Sequence, residues 1–346
     1  MRRYGLTLLA LAVFLVTVVP AWLGLYSGYV QFLMAVVGIN IILTASLNLI
    51  NGYMGEFSVG HAAFMGVGAY VASLLTVWLF GDNAAIGAAG LPGGLSPVVF
   101  PLALLAGGVG AALFSLLVAV PSFRTRGDYL AVVTLAVNFI FKSLVENVDA
   151  IGGPRGFMGM GGVLRVMGDT LDAPWLLIWT FLAVVLTLWI IRNFTASTLG
   201  KGVVAIRDDE IAAELMTVNT RRLKVAAFML GCGLAGVAGG LHAHLVGFIN
   251  PSSYFLLQST LILVMVYLGG IGSLLDLNVA MPMLAAAAHP AHALPAQRPH
   301  GRPRTVAGLP PPAPLLRTRQ RKDEGGRMKD EFSLLHPSSF LLHPSL

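Results

Sequence analysis

The residues best suited to chemistry lie in two polar stretches between long apolar runs. The first, NLINGYMGEFSVGHAAFMGVGAY (48–70), carries a carboxylate, Glu56, a histidine, His61, and five glycines. A carboxylate at bilayer depth costs about 2.5–3.5 kcal/mol, so Glu56 must face protein or water, or be protonated. The second, RNFTASTLGKGVVAIRDDEIAAELMTVNTRRLK (192–224), is the longest charged interruption of the apolar region.

The composition of the first stretch suits a polar path for a solute. Glycines permit a broken or closely packed backbone, and discontinuous helices are where transporters bind their substrates. We therefore interpret residues 52–61 as a re-entrant or broken segment that lines a translocation path. The alternative is a plain turn between two spanning helices, and the sequence does not decide between them. The residues assigned to the path are Gly52, Tyr53, Gly55, Glu56, Ser58, Gly60 and His61.

The second stretch contains the pattern of a short amphipathic helix. Asp208 and Asp209 precede it, and acids favour a helix N-terminus. Ile211, Leu215 and Val218 then follow at helical spacing, which suits the groove of a partner protein. The alternative is a helix lying on lipid headgroups, but leading acids oppose binding to the anionic cytoplasmic leaflet. The residues assigned to partner docking are Asp208, Asp209, Glu210, Ile211, Ala212, Ala213, Glu214 and Leu215.

Catalytic chemistry has little support in the sequence. His242 and His244 are two residues apart, so on a helix they point to different sides. The phosphate-binding pattern GxxxxGK[ST] is absent, because Lys201 is followed by Gly202 and Thr195 occupies the position of the first glycine. The sequence therefore predicts no catalytic residue, no metal and no cofactor, which leaves an integral-membrane enzyme as the least supported class.

Long apolar segments must position both stretches. The chain has 346 residues, 56% hydrophobic and 11% charged, whereas soluble domains are about a quarter charged. Backbone groups in hydrocarbon must be bonded internally, so spanning segments are helices. We predict an all-α, polytopic helical membrane bundle of about eight transmembrane helices. They cover residues 6–25, 30–50, 62–80, 98–120, 129–145, 175–191, 225–247 and 255–274.

Basic residues predict the orientation of this bundle. With the N-terminus in the cytoplasm, the Lys- and Arg-rich segments at 124–126 and 192–224 fall inside. The loops at 26–29 and 81–97 contain neither residue type and fall outside, and the outside loop at 146–174 contains only Arg155 and Arg165, in agreement with the positive-inside rule. The spans came from hydropathy, so this agreement is an independent check. The formal net charge of +6 thus needs no nucleic-acid partner.

Beyond residue 275 the composition changes. Residues 281–346 are rich in Pro, Ala, His and Arg, which predicts a disordered, low-complexity C-terminal tail. The alternative is a frameshift that replaced a final apolar helix.

Several motifs resemble those of branched-chain amino acid ABC importer permeases of the LivM/LivH type. GYMGEFSVGHAAFMGVGAY is similar to the family text GYAGQLSLGHAAFFGIGAY, and AIRDDEIAAELMTVN is similar to AIRDDEIAAEAMGIN. RTRGDYLAVVTLAVNFI resembles RTRGLYFAIVTLAFAEI, IGGPRG resembles TGGPNG, and LGGIGSL resembles a late glycine motif of the family. The resemblance covers roughly residues 30–275. Glu56 departs from it, since the family text has glutamine there.

The resemblance implies the transmembrane subunit of an ATP-driven importer in a bacterial inner membrane. Residues 1–280 would be the permease domain, followed by the tail at 281–346, and the helix near 208–218 would couple to an ATPase. Implied partners are two cytoplasmic ABC ATPase subunits, a second permease subunit, a periplasmic or extracellular solute-binding protein and membrane lipid. The solute would be a branched-chain amino acid, or a related small polar solute such as urea or an amide. The alternative is an ATP-independent secondary transporter or channel that uses Glu56 and His61.

Overall fold

Long apolar helices make up most of the described chain. The computed structural model describes residues 17–80, 95–123, 129–160, 163, 167 and 173–272, all within one unit, 1–291. Seven helices in this part are long and apolar enough to span a membrane. They are Gly28–Tyr53, His61–Phe80, Ser96–Ser122, Tyr129–Glu146, Trp175–Ala196, Thr220–Val246 and Pro251–Gly269. They match the second to eighth predicted spans and confirm an all-α polytopic bundle.

Two predicted segments fall largely outside the described residues. The first predicted span, 6–25, is described only from residue 17, and residues 17–22 are helical. The predicted tail, 281–346, lies wholly outside, so its disorder or frameshift stays a prediction.

From Gly28 onward, the described residues form nine α-helices, which we label in chain order. They are α1 (Gly28–Asn48), α2 (His61–Phe80), α3 (Ser96–Ser122), α4 (Tyr129–Glu146), α5 (Trp175–Ala196), α6 (Thr198–Asp208), α7 (Glu210–Leu215), α8 (Thr220–Val246) and α9 (Leu256–Gly269). A π-helical turn, Leu49–Tyr53, continues α1. Short 3₁₀ turns cover Asp149–Ile151, Gly153–Arg155 and Pro251–Tyr254. The strands β1 (Phe157–Met158) and β2 (Phe248–Ile249) pair antiparallel, with Phe157 opposite Ile249.

The core forms where α8 packs against α2 and α3. A Cβ atom on Gly68 of α2 would collide with the backbone of Gly236 in α8, and one on Gly239 would collide with the carbonyl oxygen of Met65. The small residues of the sequence GCGLAGVAGG (231–240) therefore let the helix backbones approach closely at this crossing.

The helices α2 and α8 run side by side in the same direction. Near their starts, the rings of Phe64 and Phe228 lie 5.5 Å apart, and near their ends Thr76 Oγ1 lies 2.9 Å from His244 Nε2. Their starting end also carries α6, α7 and the segment between α1 and α2, and we call it the α7 end. Both polar stretches thus meet at one end of the bundle.

Outward-facing apolar side chains complete the picture of a membrane protein. Large apolar residues are more than half exposed on α3, α4, α5 and α9, including Leu117, Val132, Trp189 and Leu257. Lipid, rather than water, is the environment in which such surfaces are stable.

Candidate coupling and solute-path site

The first polar stretch forms a break between two spanning helices. The chain leaves the π-helical turn at Met54, turns at Gly55 with φ +76°, and is non-helical until α2 begins at His61. Gly60 is required there, because a Cβ atom would lie 2.8 Å from Thr134 Cβ and would collide with the Thr134 carbonyl oxygen. We call residues 54–60 the break. Its role in a solute path stays a prediction.

Side chains from neighbouring helices bind the backbone of the break. The Val59 amide donates to Thr134 Oγ1 at 3.2 Å, and Asn138 Nδ2 donates to the Val59 carbonyl oxygen at 3.0 Å. The Ser58 amide donates to Asn51 Oδ1 at 3.2 Å. Since non-helical backbone inside a bundle must find partners in protein or water, α4 and the π-helical turn make this break possible.

Four buried polar atoms near the break have no hydrogen-bond partner within the described part of the chain. They are Asn51 Nδ2, Ser58 Oγ, His61 Nδ1 and Asn138 Oδ1. The other ring nitrogen of His61 lies 2.8 Å from Ser46 Oγ. A dry, unpaired buried polar atom costs about 1–3 kcal/mol, so these atoms suit a water molecule or the polar group of a solute.

The remaining path candidates lie at the α7 end. The Gly52 carbonyl oxygen accepts a hydrogen bond from Arg207 Nη1 at 3.1 Å, and Gly55 lies against the Arg207 side chain. Tyr53 packs against an apolar cluster that includes Leu49 and Ile191. The break thus packs directly against Arg207 of α6.

Glu56 joins the two polar stretches through a residue that the sequence analysis did not single out. Lys224 Nζ lies 2.7 Å from Glu56 Oε1 and 2.7 Å from Glu210 Oε1. The Lys224 and Glu56 side chains are only 10% and 15% exposed. Glu56 therefore faces a cationic side chain of the protein. This agrees with the expectation that a carboxylate at bilayer depth must face protein or water, or be protonated. A lysine one turn inside an apolar helix needs a partner, and that signal could have marked Lys224 as one member of an ion pair.

The second polar stretch forms two helices rather than one. Asp208 ends α6 and pairs with its neighbour Arg207 at 3.0 Å. Asp209 is the N-cap of α7, where Oδ1 accepts from the amides of Ile211 and Ala212 at 2.9 and 3.0 Å. The predicted helix was therefore too long. The sequence analysis also missed α6, although Ser197 is a typical N-cap and accepts from the Gly200 amide.

The two faces of α7 differ in chemistry. Glu210 and Glu214 face α8, because Glu210 pairs with Lys224 and Glu214 accepts from the Thr220 hydroxyl at 3.2 Å. Ala213 is buried, whereas Ala212 is exposed. On the other side Ile211, Leu215 and Met216 are 69%, 79% and 76% exposed. Met216, not the half-buried Val218, completes the exposed apolar stripe.

The two core histidines lie apart, as their spacing predicts. His244 contacts Thr76 and the Gly240 carbonyl oxygen, whereas His242 Nδ1 lies 3.0 Å from the Tyr254 hydroxyl. Each histidine has its own structural partner, so the pair does not form one reactive centre.

Comparison with known proteins identifies the family. The family model described as branched-chain amino acid transport system / permease component matches residues 29–288. The chain belongs to this permease family. It is a transport family rather than an enzyme family, and its seven described spans make this permease a multi-pass membrane protein.

Two curated relatives carry the same description. The high-affinity branched-chain amino acid transport system permease protein LivM of Escherichia coli K12 is 32% identical over 259 residues, covering 68% of this chain and 57% of the relative. LivM of Salmonella typhimurium LT2 is 30% identical over 270 residues, covering 71% and 60%. The chain thus spans about three fifths of the length of these relatives. No solved structure matches it significantly.

Proposed function

We propose that this chain is the transmembrane subunit of an ABC importer that moves branched-chain amino acids into the cytoplasm. Separate ATPase subunits supply the energy, a second permease subunit completes the pathway, and an external solute-binding protein delivers the solute. The protein lies in the inner membrane of a bacterium. Its α7 end and its N-terminus face the cytoplasm. The LivM relatives support the solute class by their names.

The observation that carries this proposal is the exposed apolar stripe of α7. The polar side chains at α7 already have partners within the protein, because Asp209 caps the helix and Glu210 and Glu214 contact α8. Ile211, Leu215 and Met216 are left more than two thirds exposed. A short helix held firmly by its polar face, with its apolar face outward, suits the groove of a partner protein.

The break supplies a candidate site for the solute within this scheme. Its unpartnered atoms include donors and acceptors but no charged group: Asn51 Nδ2, Ser58 Oγ, His61 Nδ1 and Asn138 Oδ1. Such a set suits hydrogen bonds to the polar end of a small solute. We assign the path to Gly52, Tyr53, Gly55, Glu56, Ser58, Gly60 and His61, with Asn51 and Asn138 added.

Copurification tests the docking role of α7. The tagged chain should copurify with an ATPase subunit, and Leu215→Arg should abolish this without unfolding the protein, because Leu215 has few contacts to lose. Leu199→Arg is the matched control, since Leu199 is a half-exposed leucine on the neighbouring helix α6. If both variants copurify with as much ATPase subunit as the wild-type chain does, α7 is excluded as the docking helix.

Vesicle uptake tests the energy source and the solute. Vesicles that contain the reconstituted complex should accumulate labelled leucine only when ATP is present on the side of the membrane that carries the ATPase subunits. Full-rate uptake by the permease chain alone would identify an ATP-independent carrier instead. Unlabelled isoleucine and valine should compete, and competition by urea or acetamide alone would reassign the solute.

A further inference from the structure

Lys224 of α8 contacts both α7, through Glu210, and the break, through Glu56. We infer that Lys224 is a positioning residue that fixes the break to α7, so that a displacement of α7 reaches the predicted solute path. The inference rests on the proposed function, because it assigns a transmission route between the two predicted sites.

Two short contacts carry this inference. Lys224 Nζ lies 2.7 Å from an oxygen of Glu56, in the break, and 2.7 Å from an oxygen of Glu210, the first residue of α7. An ammonium group has three donors, so it can hold both carboxylates at once. Charge-assisted contacts at this distance are the stronger class of hydrogen bond.

Burial makes one half of this bridge more rigid than the other. The Lys224 and Glu56 side chains are 10% and 15% exposed, whereas Glu210 is 46% exposed. Solvent screens the outer contact and hardly reaches the inner one. The Lys224–Glu56 pair therefore fixes the break to α8, and the Glu210 contact connects this pair to α7.

Other contacts bring α6 and α7 into the same assembly. Arg207 at the end of α6 donates to the Gly52 carbonyl oxygen and packs against Gly55. Glu214 of α7 accepts from Thr220, the first residue of α8. Each of these contacts has one neutral partner and holds the elements together, but Lys224 alone among the described residues contacts both α7 and the break through ion pairs.

Coupling, rather than stability, is the decisive readout. In the reconstituted importer complex, Lys224→Met should leave complex assembly and ATP hydrolysis within twofold of wild type while uptake falls at least tenfold. ATP consumed per solute should therefore rise about tenfold. Lys224→Arg should keep this ratio within threefold of wild type, because the guanidinium keeps hydrogen-bond donors for both carboxylates. Lys142→Met is the control, since Lys142 pairs with Glu146 on α4 at 3.8 Å.

Lys224→Met leaves carboxylates without their cation, so it could fail to fold. The variant Lys224→Met, Glu56→Gln, Glu210→Gln carries no such charge and should show the same tenfold uncoupling. A wild-type ratio in this variant would overturn the inference, and so would a parallel fall of uptake and ATP hydrolysis.

Hydrogen exchange separates this inference from the proposed function. In the isolated chain, the neutral triple variant should raise the rate of amide hydrogen exchange in two peptides. One peptide covers residues 54–60 and the other covers residues 210–216. A change in one peptide only, or in neither, would overturn the role of Lys224 even if the importer works as proposed. A wild-type chain that never takes up solute with ATP would refute the proposed function instead, and the exchange result would still stand.

Discussion

Replacing Thr217 by glycine should stabilise the helix α7, for which we propose a docking role. Among the described residues, Thr217 is the non-glycine residue with positive φ, at +63°. It follows α7 at a turn in which the Thr217 amide donates to the Glu214 carbonyl oxygen and the Val218 amide donates to that of Ala213. This pair of bonds defines a Schellman motif, which usually has glycine at this position. The family text also has glycine there.

The size of the effect follows from two opposing terms. A residue with a Cβ atom pays about 1–2 kcal/mol in the left-handed region. Glycine loses about 0.5–1 kcal/mol through its greater backbone freedom in the unfolded segment. Thr217→Gly should therefore stabilise the turn by about 0.5–1 kcal/mol, which corresponds to roughly two- to fivefold slower opening.

Hydrogen exchange of the detergent-solubilised protein measures this directly. The Val218 amide, bonded to Ala213 at 3.2 Å, should exchange two- to fivefold more slowly in Thr217→Gly. Thr217→Ala is the matched control: it keeps Cβ, so its exchange should stay near the wild-type rate. Equal slowing by alanine, or unchanged exchange with glycine, would refute the assignment of backbone strain to Thr217.

Three further predictions concern packing, capping and the break. Gly68→Ala should lower stability by about 1–3 kcal/mol in thermal unfolding, since its Cβ would collide with α8; Gly28→Ala, with nothing within 4 Å, should cost nothing. Asp209→Ala should destabilise α7 by about 1 kcal/mol and speed exchange of its first amides, whereas Asp209→Asn should keep the cap. Ser58→Ala should leave the unfolding temperature unchanged or higher, because its hydroxyl has no described partner, yet should slow uptake; unchanged uptake would remove Ser58 from the path.

Hydropathy and short motifs in the sequence determined the elements of this protein. Lipid allows few solutions for the backbone, so apolar runs of spanning length had to be helices, and the seven described spans agree. The small residues of GCGLAGVAGG likewise allow a close helix crossing, because a Cβ atom on Gly236 or Gly239 would collide with a facing helix. The polar stretches at 48–70 and 192–224 were recognisable because charged residues are rare in this chain, at 11%.

Only the tertiary structure decided which of these elements meet. Glu56 and Glu210 are 154 positions apart, and neither carries a local signal naming Lys224 as their shared partner. The sequence also did not determine the lengths of helices near polar residues. The helix α7 is shorter than its apolar periodicity predicted, because Asp209 caps its start and the turn at Thr217 ends it. Burial of a particular polar atom, such as Asn138 Oδ1, depends on every helix packed around it. Periodicity describes one helix at a time, whereas an ion pair between segments requires their relative positions.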